Sequence, residues 1–204
     1  MGRSKGPIDS PDETARTHLL ASALKLFNRK GFAGTTVREI VAEAGVTKPV
    51  LYYYFGNKEG IYIELLEGSF KKLEDLLDSF HSEEGKASEK LVTLYDRFFQ
   101  LFCENIETVR LMHSIYYGPP QGAPFYDFEA YHRKLQDAVE RLVEEGVRTG
   151  EFRTLDVNDV KMTIIGALHV AMNGRLCQTS EAAISRNGLS RLLNVIFQGI
   201  LRRE

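Results

Sequence analysis

An all-α protein in two parts is the fold class that this sequence predicts: a helix-turn-helix unit of three short helices, then a larger helical domain, about nine helices in all. Three observations predict it. Apolar residues recur every three or four positions through almost the whole chain, and no stretch alternates as a half-buried strand would. Glycine, proline or polar breaks separate the helical stretches, as at Gly31, Gly45, Gly56 and the run from Gly118 to Pro124. A content of 43% hydrophobic and 26% charged residues over 204 positions is that of an ordinary globular chain with a sizeable core.

The net charge of −2 gives no support to a polyanionic partner, but its distribution is uneven. Residues 1–60 hold 9 Lys/Arg against 6 Asp/Glu, and residues 61–204 hold 17 against 22. The positive excess lies at the amino end. The two cysteines, Cys103 and Cys177, have no metal-ligand or CxxC spacing and read as buried thiols, so no metal site or cofactor is expected. The first residues lack the apolar core of a secretory signal, and a cytoplasmic setting follows as the expectation.

Residues 1–11 are rich in Gly, Ser and Pro and read as a flexible arm. A first helix over 12–30 places Ala15, Leu19, Ala23, Leu26 and Phe27 on one face. Thr36 is positioned to cap a second helix, with Glu39 three residues on to complete a capping box and Gly45 to end it. Thr47 is placed to cap a third, with Pro49 tolerated in its first turn. Leu51 and Phe55 face inward. Lys48, Val50 and Tyr52, Tyr53 and Tyr54 must then share the remaining surface, since three rings cannot all enter one small core. Phenols beside a lysine suit phosphate and sugar contact, so this helix fits a DNA groove. Asn57 caps a fourth helix of about 20 residues, with Lys58 in its first turn. The parts are therefore an arm over 1–11, a DNA-binding unit over 12–57 and a second domain over 58–204. A polar break over Ser82–Ser88, after the fourth helix, is also expected as a domain boundary.

Helices follow over 87–106, 107–117 and 125–148, the first of them apolar on too many sides for a surface position. The last two, over 159–178 and 189–201, carry more apolar residues than one face can bury. Ile164, Ile165, Leu168, Leu189, Leu192, Leu193, Ile196, Phe197 and Ile200 are expected to pair with a second copy in a four-helix interface.

At Leu19-Leu20, Ala23, Leu26-Phe27, Gly31-Phe32, Thr35-Thr36, Ile40, Ala44-Gly45-Val46, Leu51 to Phe55 and Lys58-Glu59 the sequence resembles the TetR family of transcriptional regulators. The resemblance covers about the first 60 residues, with Pro49 standing where many members have Gly. It implies a homodimer whose two third helices enter successive major grooves of a palindromic operator. By the same resemblance Thr36 and Arg38 contact phosphate or bases, Lys48, Pro49 and Val50 lie at base edges, and Thr47 belongs to the DNA-binding set. Tyr52, Tyr53 and Tyr54 meet the backbone, and Lys58 clamps a phosphate. It implies further a small, largely apolar or planar effector in the second domain. The candidates are Phe98, Phe99, Phe102, Met112, His113, Tyr116, Phe128, Tyr131, His169, Met172 and Asn173, each of which also reads as ordinary core.

An enzyme would need chemistry that the sequence does not display: it holds no HExxH, no phosphate-cradling glycine loop and no GxSxG. The expected function is that of a ligand-responsive dimeric repressor. A helical ligand-binding or scaffold protein with a vestigial DNA-binding motif is the alternative.

Overall fold

The computed structural model describes residues 11–80, 83–176 and 186–201. Among them it has nine helices: α1 (Pro11–Lys30), α2 (Val37–Ala44), α3 (Lys48–Phe55), α4 (Lys58–Ser79), α5 (Ala87–Glu104), α6 (Ile106–Tyr116), α7 (Phe128–Thr149), α8 (Val157–Leu176) and α9 (Arg186–Ile200). No strand forms among the described residues; one isolated bridge joins Phe152 to Leu201. Of the arm expected over 1–11, residues 1–10 lie outside them, as does Cys177, and Pro11 begins α1.

The chain folds as two compact units. The first takes the described residues up to Ser69 together with Glu107–Tyr126, and the second takes Phe70–Ile106 with the described part of Asp127–Glu204. The division thus falls inside α4, beyond the 57/58 position suggested by the end of the three-helix motif, because α4's first turns bury Ile61, Tyr62 and Leu66 in the first core.

In the first unit α1, α2 and α3 pack on one another. Leu19, Ala23, Leu26, Phe27, Ile40 and Leu51 are buried, and the rings of Phe27, Phe32 and Tyr62 meet at centroid distances of 5.2 to 6.5 Å. Such tilted and edge-on ring contacts add to what area burial alone supplies. Arg16 ties three helices together, since its guanidinium pairs with Glu64 of α4 and lies 5.9 Å from the Phe55 ring centre of α3.

In the second unit α5 packs on α7 and α9, and α8 packs on both of those. Leu91, Leu94, Tyr95, Phe98, Phe99 and Phe102 of α5 are all buried, as expected of a central helix. Glu151 holds α5's first turn by accepting from the N–H groups of Ala87 (2.7 Å) and Ser88 (3.2 Å) and from the Ser88 hydroxyl. This satisfies donors that a helix start leaves without intrahelical partners. The Phe152 ring fills the space a side chain at Gly146 would need, for a Cβ built there would lie 2.3 Å from it, and the ring stacks on Phe197 at 6.1 Å.

Two expectations are corrected. The seventh helix starts at Phe128, three residues later than periodicity suggests, because the Asp127 carboxylate accepts from Ala130 N–H at 2.9 Å and caps it there. The second correction concerns the residues assigned to pairing with a second copy. Ile164, Ile165, Leu168, Leu189, Leu193, Phe197 and Ile200 are buried within the protomer, because α8 and α9 turn their richest apolar faces toward α5 and α7. Leu192 and Ile196 are half-buried. The outer sides of these helices instead expose Met162 (55%), Val170 (63%) and Val195 (66%).

Candidate nucleic-acid interface

The candidate surface is built on two very short helices, which must be held by their ends and neighbours because helices of this length are marginal alone. Thr36 caps α2 as the sequence predicts. Its hydroxyl accepts from Glu39 N–H (3.3 Å), and Glu39 Oε2 accepts from the Thr36 N–H and the Thr36 hydroxyl, each at 2.9 Å. The Lys30 ammonium donates to the other Glu39 oxygen at 2.5 Å. These bonds all favour the carboxylate, with Lys30 first, and push its pKa down to about 2. Gly45 closes α2 in the left-handed conformation (φ 67°), and the Val46 N–H reaches back to Val41 O at 3.0 Å.

At α3 the cap differs from expectation. Thr47 has the extended backbone of a capping residue, but its side chain makes no cap hydrogen bond; Pro49 in the first turn has no N–H to be capped. The Thr47 side chain stays at the exposed surface. Leu51 and Phe55 are buried as predicted. The opposite side carries Lys48, Pro49, Tyr52 (50% exposed) and Tyr53 (77%), which share one side by their three- and four-residue spacing. Val50 and Tyr54 are half-buried, and Tyr54 lies between its neighbours, 5.0 Å from the Tyr53 ring and 6.0 Å from that of Phe55. A packing role therefore fits Tyr54 better than it fits the other two tyrosines.

The unit sorts its cations. Lys25 pairs with Glu43 and Lys30 with Glu39, each at 2.5 Å, while Arg16 pairs with Glu64. The Lys25 bond is the main reason the Glu43 pKa is lowered. Arg38 on α2 and Lys48 on α3 are exposed and form no salt bridge among the described residues. Of the unit's described cations without a salt bridge, Arg29 lies at the end of α1, while Arg38 and Lys48 lie on the two short helices, the second of which also carries the exposed Tyr52 and Tyr53. That combination offers charge and directional donors to a phosphate backbone.

Lys58 is placed otherwise than the sequence suggests. Asn57 caps α4 through Gly60 N–H (2.7 Å), as predicted. The Lys58 ammonium, however, donates to the carbonyls of Phe32 (2.8 Å) and Thr35 (3.0 Å) and sits 4.1 Å from the Phe32 ring centre. Two of its three N–H bonds are thereby used within the unit.

Residues 19–65 match the family model described as bacterial regulatory proteins, tetR family, and residues 84–173 match that described as a tetracyclin repressor-like C-terminal domain. The HTH-type transcriptional repressor NicS of Pseudomonas putida is 32% identical over 154 residues, covering 74% of this chain and 72% of that protein. The repressor KstR2 of Rhodococcus jostii is 30% identical over 146 residues and 68% of each. The chain belongs to the TetR family of transcriptional regulators. The crystal structure of the MbdR regulator from Azoarcus sp. CIB shares its fold, with a TM-score of 0.73 at 24% identity over 92% of this chain and all of that one. The family and these relatives are transcriptional regulators, and no described helix is long and apolar enough to cross a membrane.

In this TetR-family chain the predicted effector residues fall into both units. Met112, His113 and Tyr116 on α6 belong to the first, and the others to the second. Phe98, Phe99, Phe102 and Phe128 are buried there, Phe99 and Phe102 stacked at 5.8 Å, and Tyr131 is half-buried 5.2 Å from Phe70. Met172 is half-buried, whereas His169 and Asn173 are exposed. Neither predicted histidine is a core residue: His113 lies half-buried 4.8 Å from Tyr117, and His169 lies 6.3 Å from His132. His132, which no sequence pattern singles out, has its pKa lowered mainly by burial. An open cleft of about 680 Å³ in the second unit, lined by Phe152, Arg153, Thr154, Gln198 and their neighbours, contains none of the predicted effector residues. Asn28, which holds α1 to Glu107, Lys30, which bonds Glu39 of α2, and Gln121, which accepts from Phe32 N–H, are not legible in the sequence. Each acts through a partner 9 to 89 residues away, and spacing carries no sign of it.

Proposed function

We propose that this regulator is a dimeric repressor that binds a palindromic operator and leaves it when a small, largely apolar or planar effector binds the region of residues 58–204. The observation that carries the reading is the exposed polar set on the two short helices: Arg38 on α2 and Lys48 on α3, neither in a salt bridge among the described residues, with Tyr52 and Tyr53 exposed on α3. Lys48, Pro49 and Val50, with Thr47 at the helix start, read base edges; Thr36, Arg38, Tyr52 and Tyr53 meet the backbone, and Tyr54 and the third Lys58 N–H support them. Repression rather than activation is favoured because NicS and KstR2 are both described as repressors. A cytoplasmic site of action follows from a DNA partner. Phe98, Phe99, Phe102, Phe128 and Tyr131 supply the apolar surface that such an effector needs.

The test is a duplex selected by the chain from random DNA. Lys48→Ala and Tyr52→Ala each weaken its binding about tenfold or more, with circular dichroism melting unchanged, because both side chains are exposed. Binding also falls steeply between 50 and 200 mM salt. Unchanged binding in both variants would remove α3 from the interface.

A further inference from the structure

The chain passes between the two units three times: within α4, at Ile106–Glu107 and at Tyr126–Asp127. The segment Glu107–Tyr126 thus belongs to the DNA-facing unit although the second unit supplies the chain on both sides of it. Polar bonds hold it there. The Asn28 amide of α1 donates to the Glu107 carbonyl at 2.9 Å and its carboxylate at 3.1 Å. Gln121 Oε1 accepts from the backbone N–H of Phe32 at 2.9 Å, and Gln121 Nε2 donates to Ser114 O at 3.4 Å.

The Phe32 bond has an exacting environment. Phe32 is 2% exposed, so its N–H has little access to water, and a buried donor that loses its acceptor costs the full desolvation of that group. The adjoining Gly31 is in the left-handed region (φ +75°), and a Cβ there would lie 2.6 Å from Gln121 Oε1, so the glycine both makes the turn and admits the amide. From the other side of the same peptide stretch, Phe32 O and Thr35 O accept from Lys58, and the Thr35 hydroxyl donates to Gly31 O at 2.9 Å. The next residue is Thr36, the cap of α2. A continuous set of hydrogen bonds therefore runs from Ser114, through Gln121 and the turn between α1 and α2, to the start of a DNA-facing helix.

We propose that Gln121 is a positioning residue for DNA binding. It acts through the Phe32 peptide to fix the turn that carries Thr36 and Arg38. The segment that carries Gln121 is built for this: Pro119, Pro120 and Pro124 stiffen it on either side of Gly122 (φ +64°). A head ordered before binding loses less freedom on the duplex than one that must be ordered there. The inference rests on the DNA-binding reading above.

Two measurements on the full chain test it: amide hydrogen exchange at Phe32, and affinity for the duplex that the wild-type chain selects from random DNA. Gln121→Met keeps the side-chain length and removes the acceptor. Phe32 exchange then rises at least about tenfold and affinity falls about tenfold, while melting falls by only a few degrees and leaves the chain folded at the assay temperature. Gln121→Glu keeps an accepting oxygen and restores the protection of Phe32. The proposal is overturned if Gln121→Met leaves Phe32 exchange unchanged, or speeds it while the duplex binds as before. It is overturned equally if melting falls far enough to account for the lost binding. Gln121→Asn, too short to reach Phe32, takes the same expectations should Gln121→Met not fold. A wild-type chain that selects no duplex refutes the DNA-binding reading and the inference with it, a result distinct from all the others.

Discussion

The Lys58 side chain faces two jobs, and the distances decide between them. Its ammonium serves the carbonyls of Phe32 and Thr35 at 2.8 and 3.0 Å, and both of those residues are buried. Hydrogen bonds from a charged donor contribute more than neutral ones, and removing the donor takes that partner from both carbonyls, leaving Phe32 O with the Thr35 N–H at 3.3 Å. Lys58→Met is therefore expected to destabilise the first unit by about 2 kcal/mol, read as a lower melting temperature in circular dichroism. A lysine that served DNA alone would lose operator affinity with melting unchanged. From the sequence only the second role is visible. Lys58 lies 26 and 23 residues from its acceptors, and no local spacing brings them together. The same holds for Gln121, 89 residues from Phe32. By contrast, Leu51 and Phe55 are legible as core because one helical turn separates them, so a period of 3.6 places both on one face.

Helix α2 is legible in full for a related reason: its cap, its closing glycine and its buried Ile40 and Val41 all act within a few residues of one another. Its stability carries a pH signature. Glu39 ionises at about 2 in the fold, against an ordinary carboxyl value of 4.5, because Lys30 and the Thr36 N–H and hydroxyl all bond the charged form. A carboxyl whose folded pKa is depressed contributes stability that is fully present above its unfolded pKa and is lost as pH falls through the folded value. The melting difference between wild type and Glu39→Ala should thus be constant from pH 7 to about 5.5 and shrink progressively toward pH 2. A difference that does not vary with pH would detach Glu39's charge from the cap. Helices α8 and α9 show where periodicity stops informing. Both carry apolar residues on more than one side, and a sequence cannot say which side the protomer's own core takes. The core takes the richer one, with Ile164, Leu168 and Leu193, and leaves outside a sparser set at Met162, Val170 and Val195.

Across the whole molecule, the proposed dimer is what would let one short helix specify a DNA site, and that sparser set is the surface proposed for the pairing. A single α3 presents few base-reading side chains, and pairing two heads converts the second contact into an intramolecular one at high effective concentration. The family pairs commonly in this way, and the outer sides of α8 and α9 offer exposed apolar surface with half-buried Leu192 and Ile196 beside it. Gly166 adds room for close approach, since no atom lies within 4 Å of a Cβ built there. Val170→Glu and Val195→Glu are therefore expected to give folded monomers by analytical ultracentrifugation, because the charge falls on surface that the protomer core does not use. Operator affinity should fall by two orders of magnitude or more, roughly the avidity lost when linked sites become separate. Leu193→Glu provides the contrast: it places a charge in the protomer core and should unfold the second unit instead. Dimers that persist in both surface variants, with operator affinity intact, would place the pairing surface on other helices.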